Sequence, residues 1–208
     1  MGKSFAQIAF TPLVKKQQVL HGSRSQYERV EQSSRAGDSL TEPEREFVLS
    51  RDSFYMATVS ETGWPYIQHR GGEAGFLHII DDRTIAFADY RGNRQYVSIG
   101  NLEHDDRVAL FLMDYPSRSR LKILGHAEVR EGADAEELIG ELSAPSVRAL
   151  VERVILIRIA GFDWNCQQFI TPRFTEKQVI EVMAPIRQRL AEIEEENKRL
   201  RAELAQQP

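Results

Sequence analysis

The sequence predicts a mainly β fold, an antiparallel barrel of short strands with helices before and after it. Three observations carry this. Short runs in the middle of the chain alternate apolar and polar residues, and tight turns separate them. Helical patterns between those runs are few and short, which favours a closed antiparallel barrel over a doubly wound parallel sheet. The two ends of the chain instead carry helix-start signals.

The strands follow in order. Residues 53–60 are rich in aromatic and β-branched types, Glu61-Thr62-Gly63 is a turn, and 64–70 runs back, giving a hairpin. Residues 76–80 and 84–88 make a second hairpin about Asp81-Asp82-Arg83. Residues 108–113 and 120–129 form a third antiparallel pair, and 153–162 is a last long strand. Short helices interrupt at 94–103 and 134–150.

Three zones result: a helical extension over 1–50, the barrel over 51–174, and a helix over 175–208. In the first, Thr11-Pro12 is a helix start, because the hydroxyl caps a free amide and proline loses no bond at the first position. Thr41 with Glu44 three residues on is a capping box for a short helix carrying Phe47 and Leu49. Gly22 and the stretch 33–39 punctuate this cover.

The last zone opens with a further capping box, Thr175 and Gln178, and Pro185 is expected to kink it. Its apolar residues fall at Val179, Met183, Ile186, Leu190, Ile193, Leu200 and Leu204, with Asn197 in the same series. The alternating steps of four and three are a heptad seam with a polar residue at an a position. In a parallel pair Arg189 would meet Glu194, and Glu196 would meet Arg201. The same spacing also suits an amphipathic helix lying on its own barrel, so two readings stand.

Composition bounds the function. The chain has 208 residues, 41% hydrophobic and 28% charged, as a globular domain with extensions does. A net charge of −4 gives no global attraction to nucleic acid or to anionic membranes. The longest apolar run, 108–113, is too short to cross a bilayer. Lys3, Gln7, Thr11 and Lys15 interrupt any secretory core, so a cytoplasmic protein is expected. Cys166 is the single cysteine, which excludes an intrachain disulfide. The histidines lack ligand spacing, so no metal site is expected. No Gly-x-Gly-x-x-Gly pattern opens a dinucleotide domain.

The chemistry gathers in three segments. On the strand Tyr66-Ile67-Gln68-His69-Arg70, alternation puts Tyr66, Gln68 and Arg70 on one face and Ile67 and His69 on the other. Gln68 and Arg70 together suit a planar polar ring or an anion. The segment Phe87-Ala88-Asp89-Tyr90-Arg91-Gly92-Asn93-Arg94-Gln95 runs into a helix. There Gly92 permits a tight turn, Asn93 can cap, and the helix-start amides with Arg91 and Arg94 make a phosphate cradle. In the third segment Arg120, Lys122 and His126 share a face. Each cationic face alone is an ordinary solvated sheet edge; converging on a barrel, they support a phosphorylated small ligand.

From Trp64 to Val129 the chain resembles the flavin-binding core of the pyridoxamine 5′-phosphate oxidase family. The matching pieces are the Pro65-Tyr66 strand, 87–95, 108–113 and Gly125-His126-Ala127-Glu128, with Phe162-Asp163-Trp164 and Arg173-Phe174 further on. The resemblance implies an antiparallel split β-barrel that holds flavin mononucleotide (FMN) at the interface of a homodimer. It also implies roles. Gln68 lines the flavin with His69 and Arg70 beside it, and Ala88 and Asp89 lie near the ring and ribityl chain. Arg94 binds phosphate, helped by Arg70, Arg91 or Lys122. Gln95 replaces a lysine, Arg120 stands for a glutamine reaching across the dimer, and Trp164 and Arg173 are further contacts.

Two departures point to a related subgroup instead of an authentic pyridoxamine phosphate oxidase. Gly71, Gly72 and Glu73 fill the place of a basic residue, and Phe169, Ile170 and Thr171 stand where the vitamin substrate is gripped. The expectation is an FMN-dependent oxidoreductase acting on a small-molecule substrate or electron donor, with no catalytic residue assigned. Its rivals are a flavin (or haem) binding or sensing module, a deazaflavin protein, and a scaffold dimerised by the C-terminal helix.

Overall fold

Seven strands form one sheet: β1 (Ser53–Val59), β2 (Pro65–Gly71), β3 (Leu77–Ile79), β4 (Thr84–Tyr90), β5 (Arg107–Asp114), β6 (Ser119–Glu131) and β7 (Val151–Trp164). The computed structural model describes residues 4–32, 38–143, 146–165 and 167–205. Cys166 and most of the punctuating stretch 33–39 fall outside them. The three expected hairpins are present. At the first, Ser60 N donates to Trp64 O at 3.0 Å and Gly63 N to Ser60 O at 2.8 Å. Gly63 has φ +83, which a residue with a Cβ rarely adopts.

The strand order is β2-β1-β5-β6-β7-β4-β3, antiparallel throughout. The sheet curls but does not close, since β2 and β3 are not hydrogen-bonded to each other. This corrects the expectation of a closed barrel. Alternation fixes which side chains face inward, and those side chains bridge the gap that backbone ladders leave. Phe54, Met56, Ile85, Phe87, Leu110, Leu112, Leu121, Ile123, Ile155 and Ile157 fill the interior with almost no exposure. Full burial of each such side chain contributes about 1.5–3 kcal/mol.

Two helices set up the open side. α5 (Val97–His104) is fixed by Asn101 Nδ2 donating to Thr58 Oγ1 of β1 at 2.9 Å and Ser98 Oγ donating to Gln68 Oε1 of β2 at 2.8 Å. α6 (Ala133–Leu142) packs on the outside of β4 and β7, where Leu142 meets Ala86 and Val154. It ends earlier than expected: Ser143 leaves helical angles at φ −125, ψ 136, with Pro145 two positions on in the sequence. A 3-10 turn, Arg148–Leu150, then leads into β7.

The N-terminal helices are α1 (Phe5–Ala9), α2 (Pro12–Leu20), α3 (Arg24–Gln32) and α4 (Glu42–Leu49). Thr11 caps α2, its hydroxyl accepting from Val14 N at 3.4 Å. The capping box of Thr41 and Glu44 forms on α4. Glu31 of α3 ties the first helices together by pairing with Lys15 and Arg24, each at 2.5 Å. α1 lies over β7 at Gly161, where a Cβ would stand 2.8 Å from Phe5 N. Beside it β7 carries a bulge: Leu124 pairs with Gly161 but Gly125 with Ile159, leaving Ala160 over.

The chain divides into two compact units, Met1–Asp114 with Ser119–Gln168, and Tyr115–Arg118 with Phe169–Pro208. The second contains α7 (Glu176–Ala205), whose capping box joins Thr175 and Gln178 at 2.9 and 3.2 Å. Pro185 lies inside α7 and does not end it. No residue of α7 is buried, including the seam from Val179 to Leu204.

Candidate functional site

The gap between β2 and β4 is crossed by side chains. Arg70 Nη1 of β2 donates to Asp89 Oδ1 of β4, and both side chains are nearly buried. Arg153, at the start of β7, approaches the other Asp89 oxygen at 3.9 Å and holds Glu152 at 3.0 Å and Glu131 at 2.7 Å. Its guanidinium lies 5.1 Å from the centre of the Tyr96 ring. Burial pushes the Asp89 carboxyl above its ordinary range, against the pull of Arg70 and Arg153. The same burial pushes the Arg70 guanidinium down, against the pull of Asp89.

Over this network the segment after β4 folds into a cleft of about 60 Å³, lined by Gln68, Arg70, Asp89, Asn93, Arg94 and Arg153 among others. Two of its residues are left-handed without being glycine: Arg94 at φ 60 and Tyr96 at φ 53. Each such residue costs of order 1 kcal/mol and persists only where the surroundings enforce it. Here they turn the chain sharply into α5, whose N-cap Tyr96 makes no side-chain capping hydrogen bond. The first amides of α5 therefore stay available, and a helix start favours negative charge.

This differs in detail from the sequence expectation. Gly92 does not take a positive φ. Asn93 caps no helix; its Oδ1 accepts from Gln95 N at 3.2 Å. The turn is tightened at Arg94 and Tyr96 because α5 begins three residues later than expected. Arg94 remains exposed, with one 3.4 Å contact from Nε to the Tyr96 hydroxyl. Arg91 pairs with Glu152 at 3.1 Å. Arg70 Nε is buried in the cleft and meets no acceptor.

The expected site residues fall into separate groups. Gln68, Arg70, Asp89, Arg91, Asn93, Arg94 and Gln95 come together at the cleft or its rim, and Ala88 is buried just behind it. His69 points to the other face of β2, edge-on to Tyr55 at 5.5 Å. That outer face carries an apolar groove of about 450 Å³, whose walls include Tyr55, Ala57, Ile67, Phe111 and Lys122. Lys122 pairs with Asp163 at 2.8 Å and reaches over the Phe5 ring at 4.7 Å.

Arg120 and Trp164 lie at the far end of β6 and β7. Asn165 N donates to Arg120 O at 3.1 Å, and the Arg120 guanidinium lies 6.0 Å from the Phe111 ring centre. Trp164 Nε1 donates to Glu44 Oε1 at 2.6 Å, and its ring meets Phe47 edge-on at 4.8 Å. From Arg153 to Trp164 β7 runs eleven steps, roughly 30–35 Å. Neither Trp164 nor Arg120 is among the residues that line the cleft. Arg173, in the second unit, stacks over Tyr115 at 4.9 Å.

Sequence reasoning missed Arg153, Tyr96, Ser98 and Glu152. A signal for Arg153 existed, because it shares the inward face of β7 with Ile155, Ile157 and Ile159. A cation on an otherwise aliphatic face marks either a buried ion pair or a site. Among the described residues no group of His, Cys, Asp or Glu is arranged to hold a metal ion. No helix among them is long and apolar enough to cross a membrane.

The family description "Pyridoxamine 5′-phosphate oxidase" matches residues 40–160, more than half of the chain, from the residue before α4's capping box to the bulge of β7. The chain belongs to that family. Among curated proteins none matches the chain. Solved structures of similar fold include General Stress Protein 26 from Bacillus anthracis, 15% identical, covering 62% of this chain and 92% of that one, TM-score 0.44. An FMN-binding protein from Syntrophomonas wolfei is 14% identical over 71% of this chain and 97% of its own, TM-score 0.43. HupZ from Group A Streptococcus is 16% identical over 65% and 100%, TM-score 0.45. The matched residues include most of the open antiparallel sheet, a split-barrel arrangement, and the long C-terminal helix lies beyond them.

Proposed function

We propose that the chain is a flavoprotein that binds FMN at a seam between two copies and serves as an oxidoreductase for a small molecule. The observation that carries this is the set of donors lacking acceptors at one cleft. Arg70 Nε is buried and unpaired, Arg94 is bound only by a long contact to a hydroxyl, and the start of α5 is uncapped by any side chain. Leaving a buried donor unmet costs about 1–3 kcal/mol, which an anionic ligand would remove.

The residues fit the phosphate end of the cofactor. A cleft of about 60 Å³ holds a group of that size and not a tricyclic ring, for which pockets of about 300 Å³ or more are usual. The ring must then rest outside the cleft. β2 is an edge strand, so a ligand held at Gln68 and Arg94 can continue onto the apolar outer face at Ile67. Arg120 and Trp164, which do not line the cleft, would be supplied by the second copy. When bound, the flavin supplies the two-electron chemistry, and the protein supplies orientation and charge. Arg94 and the α5 amides would hold the phosphate. Arg70 would donate through Nε while Asp89 keeps its guanidinium in place.

The test is the visible spectrum of the purified chain, before and after adding FMN and then a reduced nicotinamide donor. Flavin absorption that bleaches supports the whole reading. Absorption that resists every donor keeps the binding and removes the oxidoreductase, leaving a binding or sensing module. Protein that is colourless once unbound flavin is removed after incubation with excess FMN overturns the proposal.

A further inference from the structure

We propose that the depression between α1 and the β5–β6–β7 face is a second binding site, which takes a small organic anion with an apolar body. The register puts two guanidiniums and an imidazole side by side on neighbouring strands: Arg107 of β5 opposite His126 of β6, and His126 opposite Arg158 of β7. Arg83, next to the β4 residue that pairs with Arg158, joins them at the rim.

Three of the four are balanced by carboxylates. Asp105 takes the Arg107 guanidinium at 2.5 to 3.1 Å and is held well below the usual carboxylate range by it. Asp106 meets His126 Nδ1 at 2.9 Å, and Asp38 meets Arg83 at 3.6 Å. Arg158 is exposed, and among the described residues no acceptor or carboxylate engages its guanidinium. One free guanidinium beside an imidazole is the recognition set for a carboxylate or a phosphate monoester.

The cavity itself is built. It measures about 590 Å³, within the range of small-molecule pockets, and part of its lining is apolar, with Ile8, Leu124 and Ala160 only partly buried. Its floor is the β7 bulge, which leaves Ala160 unpaired and Gly125 facing Ile159. Its wall is α1, which approaches β7 only because residue 161 is glycine. Along β7 Arg158 lies five residues from Arg153, roughly 16 Å, so this site and the phosphate cleft are separate.

Phenyl phosphate and inorganic phosphate, titrated calorimetrically into the full chain, test the site. Phenyl phosphate should bind, and more tightly than inorganic phosphate because the apolar wall takes the ring. Arg158→Gln should weaken it about tenfold or more, with Arg158→Lys restoring part of the loss. Arg158 is exposed, so the variants should melt with the wild type. In an Arg94→Ala background, which disables the proposed flavin cleft, phenyl phosphate should still bind and should still lose affinity with Arg158→Gln, which separates this site from the flavin reading. No phenyl phosphate binding at millimolar concentration, or equal binding by the wild type and Arg158→Gln, overturns the proposal.

Discussion

The guanidinium of Arg70 and the carboxylate of Asp89 join β2 to β4 across the one side of the sheet that has no backbone ladder. A buried pair of this kind is weak as a net contribution, yet breaking it by removing one partner leaves an uncompensated charge. Asp89→Ala should therefore destabilise the chain by about 3 kcal/mol or more, while Arg70→Met with Asp89→Leu should be markedly milder. Urea unfolding of the single and double variants measures the difference. Equal losses would mean that the pair does not hold the split together.

Glu44 gives a pH dependence with a definite sign. Burial raises its carboxyl, but hydrogen bonds from the Thr41 hydroxyl, the Trp164 indole and the Thr41 amide outweigh that and hold it below its ordinary value. A carboxylate lowered in the folded state contributes stability above its unfolded value, and that contribution is lost as pH falls through the folded one. The wild type should lose stability between pH 5 and the folded value, and Glu44→Gln should lose less over the same window. Urea midpoints at neutral and acid pH, compared for the two proteins, check this.

Arg94→Ala should weaken FMN binding far more than riboflavin binding, because the two ligands differ by the phosphate alone. Equal losses for both, measured by fluorescence quenching of the flavin, would take the phosphate from Arg94.

Much of the fold was legible because period-two alternation reports directly on which side chains face a core. The three hairpins were readable for that reason, and the capping boxes at Thr41 and Thr175 from a hydroxyl followed three residues later by a carboxylate or amide. Closure was not, since alternation is the same whether edge strands meet or stay apart. The candidate site was half legible. Arg70, Asp89 and Arg94 stood out as polar residues in strand and turn contexts, but Asp89 as the partner of Arg70 is a tertiary fact. Gly92 and Asn93 were the residues suited to a sharp turn; the packing of α5 against Gln68 and Thr58 placed the strain at Arg94 and Tyr96 instead.

The seam of α7 supplies a charge test. With Asn197 at an a position, Arg189 and Glu194 face each other in a parallel pair, as do Glu196 and Arg201. Glu194→Arg should weaken pairing of the C-terminal helices, and adding Arg189→Glu should restore it. Disulfide cross-linking of Ile193→Cys, with Cys166 replaced by serine, reads the pairing directly. No cross-link in the unaltered background would place the seam elsewhere, as on the chain's own barrel.

The length of β7 has a genetic consequence. If one cofactor needs Arg94 from one chain and Trp164 from the other, each defect spoils both sites when every chain carries it. Mixing a chain lacking only Arg94 with a chain lacking only Trp164 would assemble hybrids in which one site inherits both lesions and the other inherits neither. Two inactive preparations would then recover colour when unfolded and refolded together.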